Sequence, residues 1–475
     1  MLIQRYLITS VCKLKHSCLS KLNHRNLEVR KMSSRTKQKP LVAVTQMCTT
    51  NDKAANMRQV EQLIEMAKAQ SAEFVFLPEC CDFVGDNRKQ TLELSEPLTG
   101  PTMEQYQALA KKHDIWLSLG GLHESILDQY ERKTDKIHNA HVILNNRGEL
   151  VAVYRKLHLF DVDTPEFTFQ ESKVVSGGQR LIPPFETPIG KLGLQICYDM
   201  RFPETSILLR KAGAELLTYP SAFTYYTGKA HWEVLLRSRA IETQCFVLAA
   251  AQVGHHNAKR QSWGHALIVD PWGKTLADLG EKKLDVATVE IDLDSVEPIR
   301  SRMPCFKHRR DDLYSLAAYG EGTTEPQQDY MFADNCIKKE TIFFESPHSY
   351  AFTNICCVVE GHVLVSTKRI VPRLKDLNTA EISDLFTLTC RIQRMLENFY
   401  KTSASTVNVQ DGPLAGQTVP HVHFHVMPRR LGDFERNDEV YRMLDATASK
   451  KVERTIEERI KEAQSYREAL RTMKQ

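Results

Sequence analysis

Residues 192–204 read Leu-Gly-Leu-Gln-Ile-Cys-Tyr-Asp-Met-Arg-Phe-Pro-Glu. Leu192–Cys197 has the length and apolar content of a buried strand. It ends in a thiol, and Pro203–Ala212 continues with helical spacing. A strand that stops at a reactive group and hands over to a helix is one step of a layered α/β domain, where functional groups gather at strand ends.

The same step recurs on both sides. Upstream, Leu41–Thr45, Phe74–Leu77 and Ile115–Leu119 read as strands, with helices predicted over Ala54–Ala69 and Met103–Lys112. Downstream, Leu216–Tyr219, Phe246–Ala250, Ala266–Val269 and Ala287–Ile291 read as strands, with a helix over His231–Thr243. The alternation predicts one α/β domain over residues 40–319. At Gly320–Gln328 Gly, Thr, Pro and Gln cluster without periodicity, as in a linker, assigned to 320–330. Residues 331–475 change order: strands at Ala351–Cys357 and His362–Thr367, a helix from Thr379 to about Tyr400, strands at Ser405–Val409 and His421–Met427, then a charged helix over Lys450–Lys474. This second unit reads as α+β.

The 475 residues carry a net charge of +4, too small for a chain that coats nucleic acid. Residues 1–40 hold ten Lys or Arg and one acid, Glu28, so the remainder is slightly acidic. This tail, residues 1–39, reads either as a mitochondrial transit peptide or as a basic extension, bypassed if synthesis starts at Met32. The expected location is the cytoplasm, with mitochondria added under the first reading. No apolar run reaches the ~18–20 residues that span a bilayer, so no membrane partner is expected. The 12 cysteines have no framework spacing and read as reduced thiols.

Three features of the first region make a complete chemistry. Phe74-Val75-Phe76-Leu77-Pro78-Glu79 is a strand ending in a carboxylate, Tyr154-Arg155-Lys156 puts a lysine just past a strand, and Cys197 supplies the thiol. A thiol attacks as thiolate, a carboxylate can take its proton, and a lysine can stabilise both thiolate and oxyanion. Singly, a Cys at a strand end is more often core filler and a lone Glu or Lys is usually a solvated surface group, and periodicity cannot bring the three together. Residues Pro40 to Tyr319 resemble the nitrilase superfamily, in its amidase branch, on FLPEC (76–80), YRKLHLFD (154–161) and QICYDMRFPE (195–204). The resemblance implies an αββα sandwich that dimerises, with Cys197 as nucleophile, Glu79 as general base and Lys156 stabilising the tetrahedral intermediate. It further implies that the Tyr198 N–H helps bind the oxyanion and that Glu171 is a second glutamate beside the lysine. The branch is similar to enzymes acting on deaminated glutathione.

In the second region, His421-Val422-His423-Phe424-His425 alternates histidine with apolar residues, so three imidazoles share one strand face. Metal binding and nucleophilic or acid–base catalysis are equally open from the triplet alone. Upstream, Gln410-Asp411-Gly412-Pro413-Leu414-Ala415-Gly416-Gln417 is a Gly/Pro loop of a kind that can approach phosphates. From Phe332 onward the chain resembles the histidine-triad superfamily, in its fragile-histidine-triad branch, on QDGPLAGQTVPHVHFHVMPRR (410–430) and GDFERND (432–438). The resemblance implies that His423 attacks an α-phosphorus and forms a nucleotidyl-histidine. His421 would orient His423, and His425 would assist the leaving group. Gln410 would bind phosphate, with Gln417, Asn354 and His362 near the substrate. Glu360 stands where the family more usually has proline. The implied substrate is diadenosine triphosphate, cleaved to AMP and ADP, with no required cofactor and Mg²⁺ or Mn²⁺ only accompanying the polyphosphate.

Together the regions resemble a fusion of these two enzyme families, whose members form homotetramers. The expected ligands are a small amide and a dinucleoside polyphosphate. The main alternative is a dinucleotide sensor, whose bound complex signals to partners; a zinc hydrolase is the third reading. Met331, Phe332 and Trp263 are expected to serve packing.

Overall fold

A computed structural model describes residues 39–163, 168–310, 313–314, 316, 322–444 and 453–473. All of the basic tail but Lys39, and the first two linker residues, lie outside them. The first domain is built on two sheets. In the first, the strand order is Gln261–Trp263, Ala251–His255, Leu41–Met47, Phe74–Phe76, Trp116–Leu127, Lys133–Leu144 and Leu150–Arg155, with Asp285–Glu290 antiparallel on Leu41–Met47. The second runs Thr275–Asp278, Leu267–Val269, Phe246–Ala249, Leu216–Thr218, Gly190–Leu194, Phe185–Thr187.

Side-chain alternation sorts the layers. Val42, Val44, Phe74 and Phe76 point into a core shared with Leu192, Leu216, Val247 and Ile268 of the second sheet. Ala43 and Val75 point the other way, onto Val60, Leu63, Ile64 and Ala67 of the helix Lys53–Ala69 and Met103, Tyr106 and Ala110 of the helix Pro101–His113. Leu209 of the helix Pro203–Lys211, and Trp232, Leu236 and Ala240 of the helix Tyr225–Thr243, pack into the shared core. The result is the αββα sandwich. Local signals bound these helices: the Asp52 side chain accepts from the Ala55 N–H at 2.9 Å, and Pro101 opens the next helix.

The second domain is built on a five-stranded antiparallel sheet, ordered Ile342–Glu345, Ser349–Thr353, Val363–Thr367, His423–Arg429, Ala404–Asn408. The helix Thr379–Tyr400 covers one face, starting in a reciprocal cap between Asn378 and Glu381. Its Leu385, Leu388, Ile392 and Leu396 pack on Val363, Val365, Phe424 and Val426. The charged C-terminal helix, Ile456–Thr472, buries Ala463, Tyr466 and Leu470 in the same core.

Several expectations change. The linker carries structure: Thr323 bridges antiparallel to Glu345, and Tyr330–Phe332 is already a strand paired with Asn335–Ile337. Backbone pairing, which composition does not encode, overrides the loop signal there. The strand expected from His421 begins at His423, because the Val422 N–H bonds to the Val371 carbonyl, outside the ladder, while His423 pairs with Ser366. Trp263 and Phe332 do pack, but Met331 is 45% exposed.

Candidate functional site

Cys197 sits where the chain leaves its strand. Its φ of 43° is in the left-handed region, which costs a non-glycine residue about 1 kcal/mol or more. Asp199 holds this bend. Its buried carboxylate accepts from the Ile196 N–H (2.8 Å), the Tyr154 hydroxyl (2.7 Å), the His158 N–H (3.1 Å) and His158 Nδ1 (2.8 Å). Asp199→Ala leaves four donors without their acceptor and is expected to cost about 2–4 kcal/mol, read as a lower urea midpoint for the first domain. The turn Cys197–Arg201 also places the Tyr198 N–H in the first turn of a 3₁₀ helix, where amides have no intrahelical partner.

Glu79, Lys156 and Glu171 meet beside that thiol. Lys156 Nζ donates to Glu79 Oε1 at 2.9 Å and to both oxygens of Glu171, at 3.1 and 2.9 Å. Asn139 Nδ2 donates to Glu79 at 2.8 Å and to Glu171 at 3.3 Å. The Ala222 N–H fixes Glu79 Oε2 at 2.8 Å, and the Phe160 N–H fixes Glu171 Oε2 at 2.7 Å. Gly120 and Gly121 let their strand pass beneath: a Cβ at Gly120 would lie 2.1 Å from the Leu77 carbonyl oxygen. Burial alone would raise Glu79, but the charge and hydrogen bond of Lys156 hold it down to about 2. Burial, then the Glu79 carboxylate, pushes the Cys197 thiol well above its ordinary value, against the pull of Lys156. Lys156 stays protonated, raised by Glu171 and Glu79 against burial. At rest Cys197 is therefore a thiol, Glu79 a carboxylate and Lys156 an ammonium. A pocket over Cys197 is lined by Phe160, Tyr198, Ala222, Phe223 and Thr224.

Sequence reasoning placed Glu79, Lys156, Cys197 and Glu171, and the fold brings all four together. It missed Asn139, Asp199 and Arg260. Asp199 lies inside the quoted motif. Asn139 and Arg260 carry no local signal.

In the second domain, hydrogen-bond partners assign the ring protons. His423 Nδ1 lies 2.7 Å from the His421 carbonyl, which can only accept, so Nδ1 carries the proton and Nε2 the lone pair. His421 Nδ1 accepts from the Ala333 N–H at 3.3 Å, and its Nε2 donates to the Arg369 carbonyl at 3.1 Å. His362 Nδ1 accepts from the Val358 N–H at 3.1 Å, so its Nε2–H points at His425 Nδ1, 2.9 Å away. That leaves His425 with its proton on Nε2. Asn354 Nδ2 touches the His362 ring. Gln410 abuts Gly416, while Gln417 braces the loop, accepting from the Gly412 N–H (2.8 Å) and donating to the Pro372 carbonyl (3.0 Å).

Burial lowers His421 to about 4 and also lowers His423. Both are then neutral in the folded protein, whereas an unfolded chain protonates them below about 6.5. The unfolded state binds more protons in that range, so stability should fall as pH drops from about 6.5 toward 4 and be level above it. A urea midpoint that falls less steeply over that interval in His421→Asn than in the parent would tie part of the loss to this residue; equal slopes would assign it elsewhere.

A model of the carbon-nitrogen hydrolase family matches residues 41–301, and one of the HIT domain matches residues 337–432. The nitrilase and fragile histidine triad fusion protein NitFhit of Drosophila melanogaster is 59% identical over 447 residues, 94% of this chain and 96% of that protein. Deaminated glutathione amidase of Homo sapiens is 50% identical over 284 residues, 60% of this chain and 86% of its own. The crystal structure of the C. elegans NitFhit protein superposes with a TM-score of 0.81 at 45% identity, covering 92% of this chain and 100% of that one. Two hydrolase domains in this order, each with its reactive groups assembled, mean that the chain belongs to the nitrilase and fragile histidine triad fusion family: a nitrilase-superfamily amidase domain joined to a HIT domain.

Proposed function

We propose that the first domain hydrolyses the amide of deaminated glutathione and the second cleaves diadenosine triphosphate to AMP and ADP. The observation that carries the reading is the hydrogen-bond pattern of the triad, from which a lone pair is assigned to His423 Nε2 and a proton to His425 Nε2, their rings 5.0 Å apart. One imidazole is set as nucleophile and the next as acid. His423 Nε2 attacks the α-phosphorus, the P–O bond to the leaving ADP breaks, and His425 gives that oxygen a proton. Water then attacks the nucleotidyl-histidine and releases AMP. Mg²⁺ or Mn²⁺ enters only as counter-ion of the substrate.

In the amidase domain, Glu79 at about 2 is a weak base. It takes the thiol proton only as charge passes from sulfur to the carbonyl oxygen, where Lys156 and the Tyr198 N–H meet it. The proton then goes to the departing amine. Glu79 next deprotonates water, which cleaves the thioester and frees Cys197. The similarity to deaminated glutathione amidase supports this substrate.

The test is to incubate the purified chain separately with each compound and follow products by chromatography. AMP with ADP, and 2-oxoglutarate from the amide, are expected. Tight nucleotide binding without cleavage would favour the sensor reading instead.

A further inference from the structure

Arg260 is a charged side chain at the amidase centre that the chemistry above does not use. The strands Ala251–His255 and Gln261–Trp263 pair as a hairpin, and Arg260 is the last residue of the connection. The connection is fixed: the Arg260 N–H donates to Asn257 Oδ1 at 2.9 Å, and the His256 N–H donates to the Arg260 carbonyl at 2.9 Å. The guanidinium lies against the ring of Phe169, 5.8 Å from its centroid, with Nη2 4.0 Å from Cys80 Sγ. Phe169 packs on Phe160, and Phe160 lines the pocket over Cys197. The groups whose charges act on Arg260 are Cys80, then Glu79, Glu171 and Cys197.

Among the described residues, no carboxylate stands within ion-pair distance of Arg260. The two carboxylates whose charges act on Arg260 are engaged elsewhere: Glu79 by Lys156, Asn139 and Ala222, Glu171 by Lys156, Asn139 and Phe160. An aromatic face and a thiol do not match a guanidinium fork, which is shaped for two oxygens of one planar anion. Arg260 is half-buried beside the catalytic groups, and a partly desolvated guanidinium without an ion-pair partner is suited to an anion that enters.

We propose that Arg260 anchors a carboxylate of the amide substrate and thereby selects anionic amides over neutral ones. This rests on the amidase reading of the first domain and adds its selectivity. The fork holds the carboxylate while Cys197 attacks the carbonyl, so its contribution is to binding and orientation.

Two measurements test it. With deaminated glutathione, Arg260→Gln should raise KM at least tenfold and change kcat by less than threefold, and Arg260→Lys should lie between. Independently of turnover, Cys197 alkylation is followed with iodoacetate and with iodoacetamide, alike in size but not in charge. The iodoacetate-to-iodoacetamide rate ratio should fall about tenfold in Arg260→Gln. If deaminated glutathione is not hydrolysed but the ratio falls, the substrate reading fails and the anion site stands. If hydrolysis and the ratio are both unchanged by the substitution, the proposal is overturned. It is equally overturned if kcat and both alkylation rates drop together, since Arg260 would then only balance the charges of Glu79 and Glu171.

Discussion

His423→Asn is expected to lower cleavage of diadenosine triphosphate by ~10⁴-fold or more while leaving amide hydrolysis within twofold. In the proposed reaction the nucleophile is a single nitrogen, Nε2, whose lone pair follows from Nδ1 being tied to the His421 carbonyl. Asparagine keeps a donor in reach of that carbonyl, so the turn before the strand His423–Arg429 should stand. It has no basic nitrogen, so no covalent intermediate can form. The check is product formation by chromatography together with labelling. The parent protein, quenched during turnover, should carry one acid-labile adenylyl group, and the variant none. A variant that still cleaves at a tenth of the parental rate would remove His423 from the nucleophile's role. His425, held as a donor at Nε2 through His362, should give a milder loss on His362→Ala, because only its orientation is disturbed.

Cys197→Ala should abolish amide hydrolysis to a similar extent, ~10⁴-fold, with nucleotide cleavage unaffected. Glu79, Lys156 and Glu171 are held by one another and by the Asn139 side chain and the Ala222 and Phe160 N–H groups, so removing sulfur should not scatter them. The backbone supplies a second, sharper result. At a φ of 43°, alanine is as disfavoured as cysteine, while glycine is free of the penalty. Cys197→Gly should therefore be equally inactive and yet more stable than Cys197→Ala by about 1 kcal/mol. A glycine variant less stable than the alanine variant would mean that the bend stores no strain. Retained amidase activity in either variant would mean that the thiol is not the attacking group.

The sequence by itself determined many of the segments that form the layers and which groups are candidates for the chemistry. Leu41–Met47, Phe74–Phe76 and Leu216–Thr218 follow from short continuous apolar runs and Thr379–Tyr400 from a pattern of period 3.6, signals that are local and survive in a bare chain. The motifs around Glu79, Lys156, Cys197 and His421–His425 were legible for the same reason, each being contiguous. Tertiary structure decided the rest. Lys133–Leu144 opens with Lys, Thr, Asp and Lys and reads as loop, yet it pairs along Trp116–Leu127 as one of the two longest strands of its sheet. The linker gains strand character from Glu345, and His421 leaves the ladder because Val422 finds Val371 instead. The grouping of Glu79 with Asn139, Lys156 and Ala222 joins residues 60, 77 and 143 positions apart. Contacts at such separations leave no periodic trace, and neither do the protonation states they impose. Low Glu79, high Cys197 and neutral His423 arise from burial and neighbouring groups, which exist only once the chain has closed around them.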